Sequence, residues 1–495
     1  MDIDRSDDYM QPPAQASKPI IAVVDDAHPF DLEGYISNYT GRTAIDRLLH
    51  VMHICPGIAA EAYQLCLQHI HQSRDPSLYS LLFQTYEAAS GTPGVTLPPM
   101  SELSQLDTKW VDETVAKNQA DRTKLEVELK TYTNNMIKES IRMAHRDLGD
   151  HYRATGDFGT SLKHYTKSRE FCTTSQHVLD MCMSILELLI EQRNYSHLTT
   201  YVFKADAALD AASAAAANSN APVQGGTAPT VTATANQKKK SADREVVQAK
   251  LDLASALAQF GASNYEKAAH AFLKIGSAKE LGDWTTKLVS PGDIAIYGTL
   301  CALATFSRAT IKSKILENSV FGVYVEQEPY VRELLEAYMN SNFKVVLELL
   351  NRYSTRHYID VHLSPHVNEL TTLIRNSAVV LYFKPFATIK LDRMSAAFGW
   401  TVAETEGHIV NLIQSGAIQG RVDSENKILH AKKTDYRGEL FARAIKTGSD
   451  IQATNRKLLL RMKLQQADLI VKAPKGQQGG GSLTDASHSM FMVGE

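Results

Sequence analysis

The chain has 495 residues, 44% hydrophobic, 8% aromatic and 22% charged, which is the composition of a globular protein with a substantial core. Fifty-two Lys and Arg stand against 55 Asp and Glu, a net charge of -3, so there is no global attraction for nucleic-acid backbones or anionic lipid. At about 150 residues per domain the length suggests roughly three domains, unless helical repeats run through it as one continuous body.

The first ten residues are acidic and lack a basic segment leading into an apolar one. No apolar run reaches the roughly 18 residues needed to span a bilayer, so a soluble intracellular protein is expected. Cys55, Cys66, Cys172, Cys182 and Cys301 form an odd set without a C-x-x-C pair. They read as core thiols of a reducing compartment, with neither a disulfide framework nor a zinc ribbon.

Residues 1–34 hold Pro12, Pro13, Pro19 and Pro29 among Asp and Gln and read as a disordered tail, with local docking of Pro29 to Leu32. Ile45, Leu48, Leu49 and Met52 then recur at i, i+3, i+4 and i+7. Pro56 stops that run, and Ala62, Leu65, Cys66 and His69 repeat it, which predicts two antiparallel helices. A break at Ser90 to Gly94 and Pro98-Pro99 precedes one long polar helix over about 106–145, whose mixed charges suit a solvated face.

From Met143 an internal repeat appears. Leu148, Gly149 and Tyr152 fit the L-G-x-x-Y piece of a tetratricopeptide unit, Gly156-Asp157-Phe158 supplies its turn, and Ser161 and Tyr165 fall in the second helix. Asn194-Tyr195, Asn264-Tyr265 and Asn342-Phe343 repeat the turn; the Asp or Asn is expected to cap the incoming helix while the aromatic wedges between helix pairs. Val178, Met181, Cys182, Ile185 and Leu189 make one apolar helix face that must stack on neighbours. The expected fold is therefore mainly α, a right-handed TPR-like helical-repeat solenoid over residues 35–366. Residues 206–241, Ala-rich, then Gly/Pro/Thr-rich, and containing Lys238 to Lys240, read as a disordered insertion. The three lysines are a weak candidate nuclear address and more simply a solubilising run.

Residues 367–434 change character. A helix ends near Pro385, a second carries Leu391, Met394 and Phe398, Gly399 makes a turn, and a third carries Val402, Ile409, Leu412 and Ile413 up to Gly416. Residues 417–422 and 427–431, joined by Asp423 to Asn426, alternate as a β-hairpin. Helix-turn-helix plus hairpin is a winged helix. In residues 435–472, Ile451, Asn455, Leu458, Met462, Gln465 and Leu469 alternate steps of four and three, the seam of a bundle-forming helix. Residues 473–495, after the run of Gly479 to Gly481, read as a second disordered tail.

Chemistry is sparse. The would-be recognition helix, Val402 to Ser415, has no Arg or Lys and carries Glu404 and Glu406, which would repel phosphates; Arg421, Lys427, Lys432 and Lys433 near the wing read as solvated. His69 and His71 lack the carboxylate spacing of a zinc site, and the cluster His145, Asp147, Asp150 and His151 is accounted for by the repeat. Pro365 lies between His362 and His366 and interrupts any helix that would align them. No phosphate-binding, dinucleotide-binding, zinc-protease or serine-hydrolase motif occurs. No cofactor, metal site or catalytic residue is expected, and the absence of motifs favours a scaffold over an enzyme.

Repeats, a winged helix and a terminal helix, in that order, resemble the PCI-domain family, whose members build the proteasome lid, the COP-9 signalosome and a translation initiation factor complex. The segments His145 to Tyr152, Cys172 to Tyr201, Asp293 to Phe306, Ser364 to Val367, Ile374 to Asn376 and Met394 to Phe398, with Gly416, Arg421 to Asp423 and Lys427 to Leu429, are similar to the signalosome branch over residues 35–472. The stretch Tyr297 to Phe306 fits that branch better than its proteasome-lid paralogue, which is the alternative. The resemblance implies a non-catalytic scaffold subunit of the complex that removes a ubiquitin-like modifier from cullin-RING ligases. Its partners would be other PCI subunits and a zinc-dependent catalytic subunit, in cytoplasm and nucleus, without nucleic acid or membrane. Ile418, Val422, Ile428 and Leu429 of the hairpin would then serve β-augmentation by a neighbouring PCI domain, and Ile451, Leu458, Met462 and Leu469 a multi-subunit helical bundle.

Overall fold

A computed structural model describes residues 22–94, 96–103, 107–219, 231–432 and 436–469. Nearly all of its elements are helices, and the first of them explain their own boundaries. Asp31 accepts the Gly34 N–H and starts Leu32–Ile36, as a capping carboxylate does. The helix Arg42–Ile54 ends before Pro56, a 3-10 turn over Pro56–Ile58 follows, and Ala59–Gln72 runs next. With Ser77–Ser90 these helices bury Ile45, Leu48, Met52, Ala62, Cys66 and Tyr86 in one apolar cluster, which also takes Ile359 from far along the chain. Ala22, Val24 and Phe30 pack against it, and the Thr355 hydroxyl donates to the Val23 carbonyl at 2.8 Å. The expected tail to residue 34 is therefore corrected: from residue 22 the chain is packed, because its few apolar residues meet the cluster built by residues 32–89 with Ile359. Residues 1–21 lie outside the described part.

The polar helix predicted over 106–145 is two helices. Thr108–Asn134 buries no residue, as its mixed charges require; it ends where Met136 adopts φ +53°, and Lys138–Ala154 begins beyond. Asn134 and Asn135 compete with the helix for backbone hydrogen bonds and weaken it there. The following turn is as expected: Gly156 takes φ +88° and the Asp157 carboxylate accepts the Thr160 N–H to start Phe158–Ser168.

The three Asn turns work differently. Arg193, Ser263 and Ser341 take positive φ, and the next backbone N–H reaches five residues back, from Asn194 to Leu189, Asn264 to Gln259 and Asn342 to Ala337. This is the Schellman closure of the outgoing helix. The side chains of Asn264 and Asn342 cap nothing, which corrects the expected role of Asn at those two turns. The aromatics do wedge. Tyr265 meets Phe260 and His366, and Phe343 stacks on Phe398 at 5.4 Å between ring centroids.

Tyr195–Ser219 and Val231–Gly261 are helices, so the reading of 206–241 as structureless is corrected for the described residues on either side of 220–230. Ala205, Ala208 and Leu209 are buried; alanine is the best helix former, and a helix anchored on packed neighbours propagates through such a run. The helix Pro291–Thr305 buries every residue from Gly292 to Ala304, the mark of a helix surrounded on all sides.

A buried ionic cluster ties the N-terminal helices to residues 290–363. Asp293 forms a capping box with Ser290, and its carboxylate also receives Arg47 at 3.0 Å, Arg356 at 2.8 Å and the Tyr39 hydroxyl. Asp360 receives Arg47 at 2.6 Å, the Tyr297 hydroxyl at 2.5 Å and the backbone N–H groups of His362 and Leu363. Arg47, 1% exposed, lies 4.0 Å from the Tyr39 ring centroid. Burial by itself would raise the Asp360 carboxyl, but the charges of Arg47, His362 and Arg356 and the Arg47 hydrogen bond hold it well below the usual carboxylate range. Burial pushes His357 down to about 3, with the Arg356 charge adding to it, and His362 down to about 4 against the opposing pull of Asp360. Two arginines and two aspartates, each multiply hydrogen-bonded, meet the condition under which buried ions are tolerated.

Candidate subunit-interaction site

The winged-helix region is built as the sequence indicates, with one strand more. Val367–Phe383 leads into β1 (Thr388–Lys390), then the helices Leu391–Phe398 and Val402–Gln414, β2 (Gly420–Asp423) and β3 (Ile428–Ala431). Gly399 takes φ +73° between the two helices, and Thr401 with Glu404 forms a capping box on the second. The turn from β2 to β3 is set by Asp423, whose carboxylate accepts the N–H groups of Glu425 and Asn426. At Gly420 a Cβ would come within 2.8 Å of the His430 carbonyl, so that approach needs glycine.

The sheet order is β1-β3-β2, with Ile389 opposite Leu429. β1 is too short for a pattern to show in the sequence, and its presence moves β3 from an edge to the centre. The expectation that both hairpin strands offer edges is thus corrected: among the described residues only the outer sides of β2 and β1 are unpaired. Ile418 and Leu429 are buried with Ile389, Met394, Phe398 and Leu412; they hold the winged helix together and are not available to a partner. Val422 and Ile428 are half-buried.

The acidic residues of the second helix are engaged. Glu406 accepts Lys427 at 2.8 Å and Ser424 at 2.6 Å, which lowers its carboxyl from the ordinary value, and Glu404 is lowered by its capping bonds to Thr401. The lysine of the wing closest to this helix is therefore paired inside the chain, and the face it would present to a phosphate carries carboxylates.

Tyr436–Gln466 belongs to a second unit, residues 431–495, and is described by itself. Its apolar side chains are exposed: Ile451 57%, Leu458 51% and Met462 65%; Leu469, expected on the same seam, lies beyond the helix, past a turn at which Asp468 takes φ +56°. Sequence reading missed that the same spacing continues backward through Gly448 and Ala444 to Phe441, which is 69% exposed, and that Leu440 and Leu459 are exposed near the same face. Extending the four-and-three count toward the helix start would have found Phe441. Exposed apolar side chains recurring along one face of a solvated helix mark an association site.

The other sequence-predicted clusters serve packing. His71 lies against the ring of Trp110 at 5.2 Å, and His69 lines a cavity of about 530 Å³ with Arg42, Asp75 and Arg153, where Asp75 pairs with Arg42 and Arg153 with Glu187 and Glu191. Asp150 accepts the Tyr165 hydroxyl at 2.5 Å, and His145 and His164 share a 3.1 Å contact. His362 and His366 bond the hydroxyls of Tyr195 and Tyr265. Among the described residues no three His, Cys, Asp or Glu side chains converge as metal ligands, and no helix is long and apolar enough to cross a membrane. Four of the cysteines are buried and Cys172 is half-buried, all as free thiols; burial raises Cys55 to about 12, which suppresses thiolate chemistry.

Comparison with known proteins matches this architecture. A family model described as 26S proteasome subunit RPN7 matches residues 107–314, and one for the PCI domain matches residues 350–433. The chain is 33% identical over 450 residues to COP9 signalosome complex subunit 1 of Arabidopsis thaliana, covering 90% of this chain and 91% of the relative. It is 30% identical over 488 residues to subunit 1b of Drosophila melanogaster, covering 91% and 88%. Similarity to the 26S proteasome non-ATPase regulatory subunit 6 of Caenorhabditis elegans is lower, 21% over 365 residues, covering 71% and 81%.

Proposed function

Because the chain belongs to the family of COP9 signalosome subunit 1, we propose that it is a non-catalytic scaffold of that complex, which removes a ubiquitin-like modifier from cullin-RING ligases. The observation that carries the reading is the exposed apolar seam of Tyr436–Gln466, a surface that burial in a multi-subunit bundle would satisfy. The free outer side of β2 gives a second contact, through backbone groups that can pair with a neighbour's strand. The partners are other PCI-domain subunits and a zinc-dependent catalytic subunit, with cullin-RING ligases reached through the complex. The titratable clusters of this chain are engaged in packing and ion pairs, which supports leaving the chemistry to another subunit.

The test is affinity purification of the tagged chain from its own cells, with identification of what is recovered and a cullin-deconjugation assay on the eluate. Recovery of PCI subunits with deconjugase activity, and no activity from the purified chain alone, is expected. Recovery of proteasome subunits would instead support the lid reading, to which the RPN7 match and the weaker similarity to proteasome subunit 6 point. Residence in cytoplasm and nucleus belongs to the same proposal and is read by fractionation.

A further inference from the structure

The helix Tyr436–Gln466 is strongly basic within a chain whose net charge is -3: seven Lys and Arg stand against Glu439 and Asp450. Its second half carries one sign of charge only. From Ile451 to Gln466 it holds Arg456, Lys457, Arg461 and Lys463 and no carboxylate. All four are exposed, and none makes an ion pair among the described residues. The helix dipole favours cations only within the last turn, which holds Lys463 and leaves the other three unaccounted for.

Their placement follows the apolar seam. The two chain neighbours of a seam residue lie about 100° round the helix from it, one on each flank. Arg456 adjoins Asn455, Lys457 adjoins Leu458, and Arg461 and Lys463 adjoin Met462 on its two sides, so the exposed face of Ile451, Leu458 and Met462 is bordered by positive charge. Such a border complements an apolar face edged by carboxylates. It disfavours a second copy of this helix, whose cations would meet these. A lipid surface fits less well, because Asn455 and Gln465 stand on the same face. An amide pressed into hydrocarbon loses its hydrogen bonds, whereas a facing helix can return them.

We propose that residues 451–466 dock against a partner helix whose apolar face is edged by Asp and Glu, and that Arg456, Lys457, Arg461 and Lys463 select that partner and fix its orientation. The inference rests on the scaffold reading and names the chemistry of the partner at that surface. Burial of the apolar seam gives affinity for any apolar helix; the cations decide which one is accepted, since a partner with basic edges is repelled.

The test compares the full wild-type chain with two quadruple variants, Arg456→Gln/Lys457→Gln/Arg461→Gln/Lys463→Gln and its Glu counterpart, by quantified recovery of partner subunits in affinity purification. Gln keeps the helix propensity of the residues it replaces. The Gln variant is expected to recover the neighbouring subunit roughly tenfold less well, four exposed ion pairs each contributing a factor of about two, and the Glu variant less again. Wild-type recovery should fall as the wash goes from about 0.1 M to about 1 M salt, which shortens the screening length from about 10 Å to about 3 Å; the Gln variant should lose that dependence. Replacing the acidic edge residues of the recovered neighbour by Lys should restore the Glu variant, which separates lost complementarity from a lost helix. Wild-type recovery of partners by the Glu variant overturns the inference while the scaffold reading stands, and so does a Glu variant that no such exchange restores. Binding of the wild type to vesicles of phosphatidylcholine and phosphatidylserine, with partner recovery unchanged in the Gln variant, assigns the cations to a lipid surface and also overturns it. If the wild type itself recovers no PCI subunits, the scaffold reading fails and the inference with it.

Discussion

Replacing Arg47 by Met tests the ionic cluster that joins the two ends of the repeat region. The substitution keeps much of the side-chain length but removes contacts to Asp360 at 2.6 Å, Asp293 at 3.0 Å and the Tyr35 hydroxyl at 2.5 Å. Breaking a buried pair by removing one partner costs about 3–5 kcal/mol. Both carboxylates keep other donors: Asp293 retains Arg356 at 2.8 Å, and Asp360 retains Tyr297 at 2.5 Å and two backbone N–H groups. The lower end, about 3 kcal/mol, is therefore expected, or roughly two decades in an opening equilibrium. Because the cluster holds the Arg42–Ile54 helix to residues 293–360, the loss should appear as local opening. Amide hydrogen exchange of the Leu32–Ile36 and Arg42–Ile54 helices should rise about a hundredfold, with little change in Val402–Gln414. Adding Asp360→Asn should recover about 1–2 kcal/mol, since the orphaned charge is then gone. Exchange at wild-type rates in Arg47→Met, or a strictly additive double mutant, would refute the reasoning.

Three further outcomes follow from named contacts. Leu458→Asp should leave the chain's unfolding curve unchanged, because Leu458 is 51% exposed, yet abolish co-purification of partner subunits by placing a charge in a buried seam; recovery at wild-type levels counts against the bundle. Gly149→Ala should cost about 1–3 kcal/mol in denaturant titration, since its Cβ would lie 2.5 Å from a Tyr165 ring that is buried and hydrogen-bonded to Asp150. Acid should destabilise the fold from below neutrality. His357 stays neutral in the native state down to about 3, whereas in the unfolded chain it binds a proton near 6.5, so stability present above that pH is lost as pH falls. By pH 5 this amounts to about 2 kcal/mol, and the Asp360 contribution follows below about pH 4. His357→Gln should make the pH 5–7 part of that profile shallower, with His362 still contributing, and an unchanged slope counts against this assignment.

The parts of this protein that were legible in its sequence are those whose cause is local. Apolar residues at helical spacing mark Arg42–Ile54, Ala59–Gln72 and Ser175–Glu191, and Gly399, Gly416 and Asp423 mark the turns of the winged helix, because periodicity and left-handed turns act within a few residues. The helix that carries Ile451, Leu458 and Met462 was readable for the same reason. The helices at 206–219 and 231–241 were misread because composition argued for disorder, whereas helix propagation from a packed anchor outweighed it.

What only the tertiary structure decided involves partners far apart in the chain. Three residues at 388–390 carry no pattern of their own, yet pairing with β3 gives the hairpin a core strand and buries Leu429. Likewise Arg47, Asp293, Arg356 and Asp360 are ordinary surface residue types until the fold brings them together. Arg375 shows the converse, a half-buried charge that meets no carboxylate among the described residues. Local sequence sets the elements through short-range sterics and hydrogen bonding, whereas the balance of buried charge depends on which distant groups meet, and that is fixed only when the elements pack.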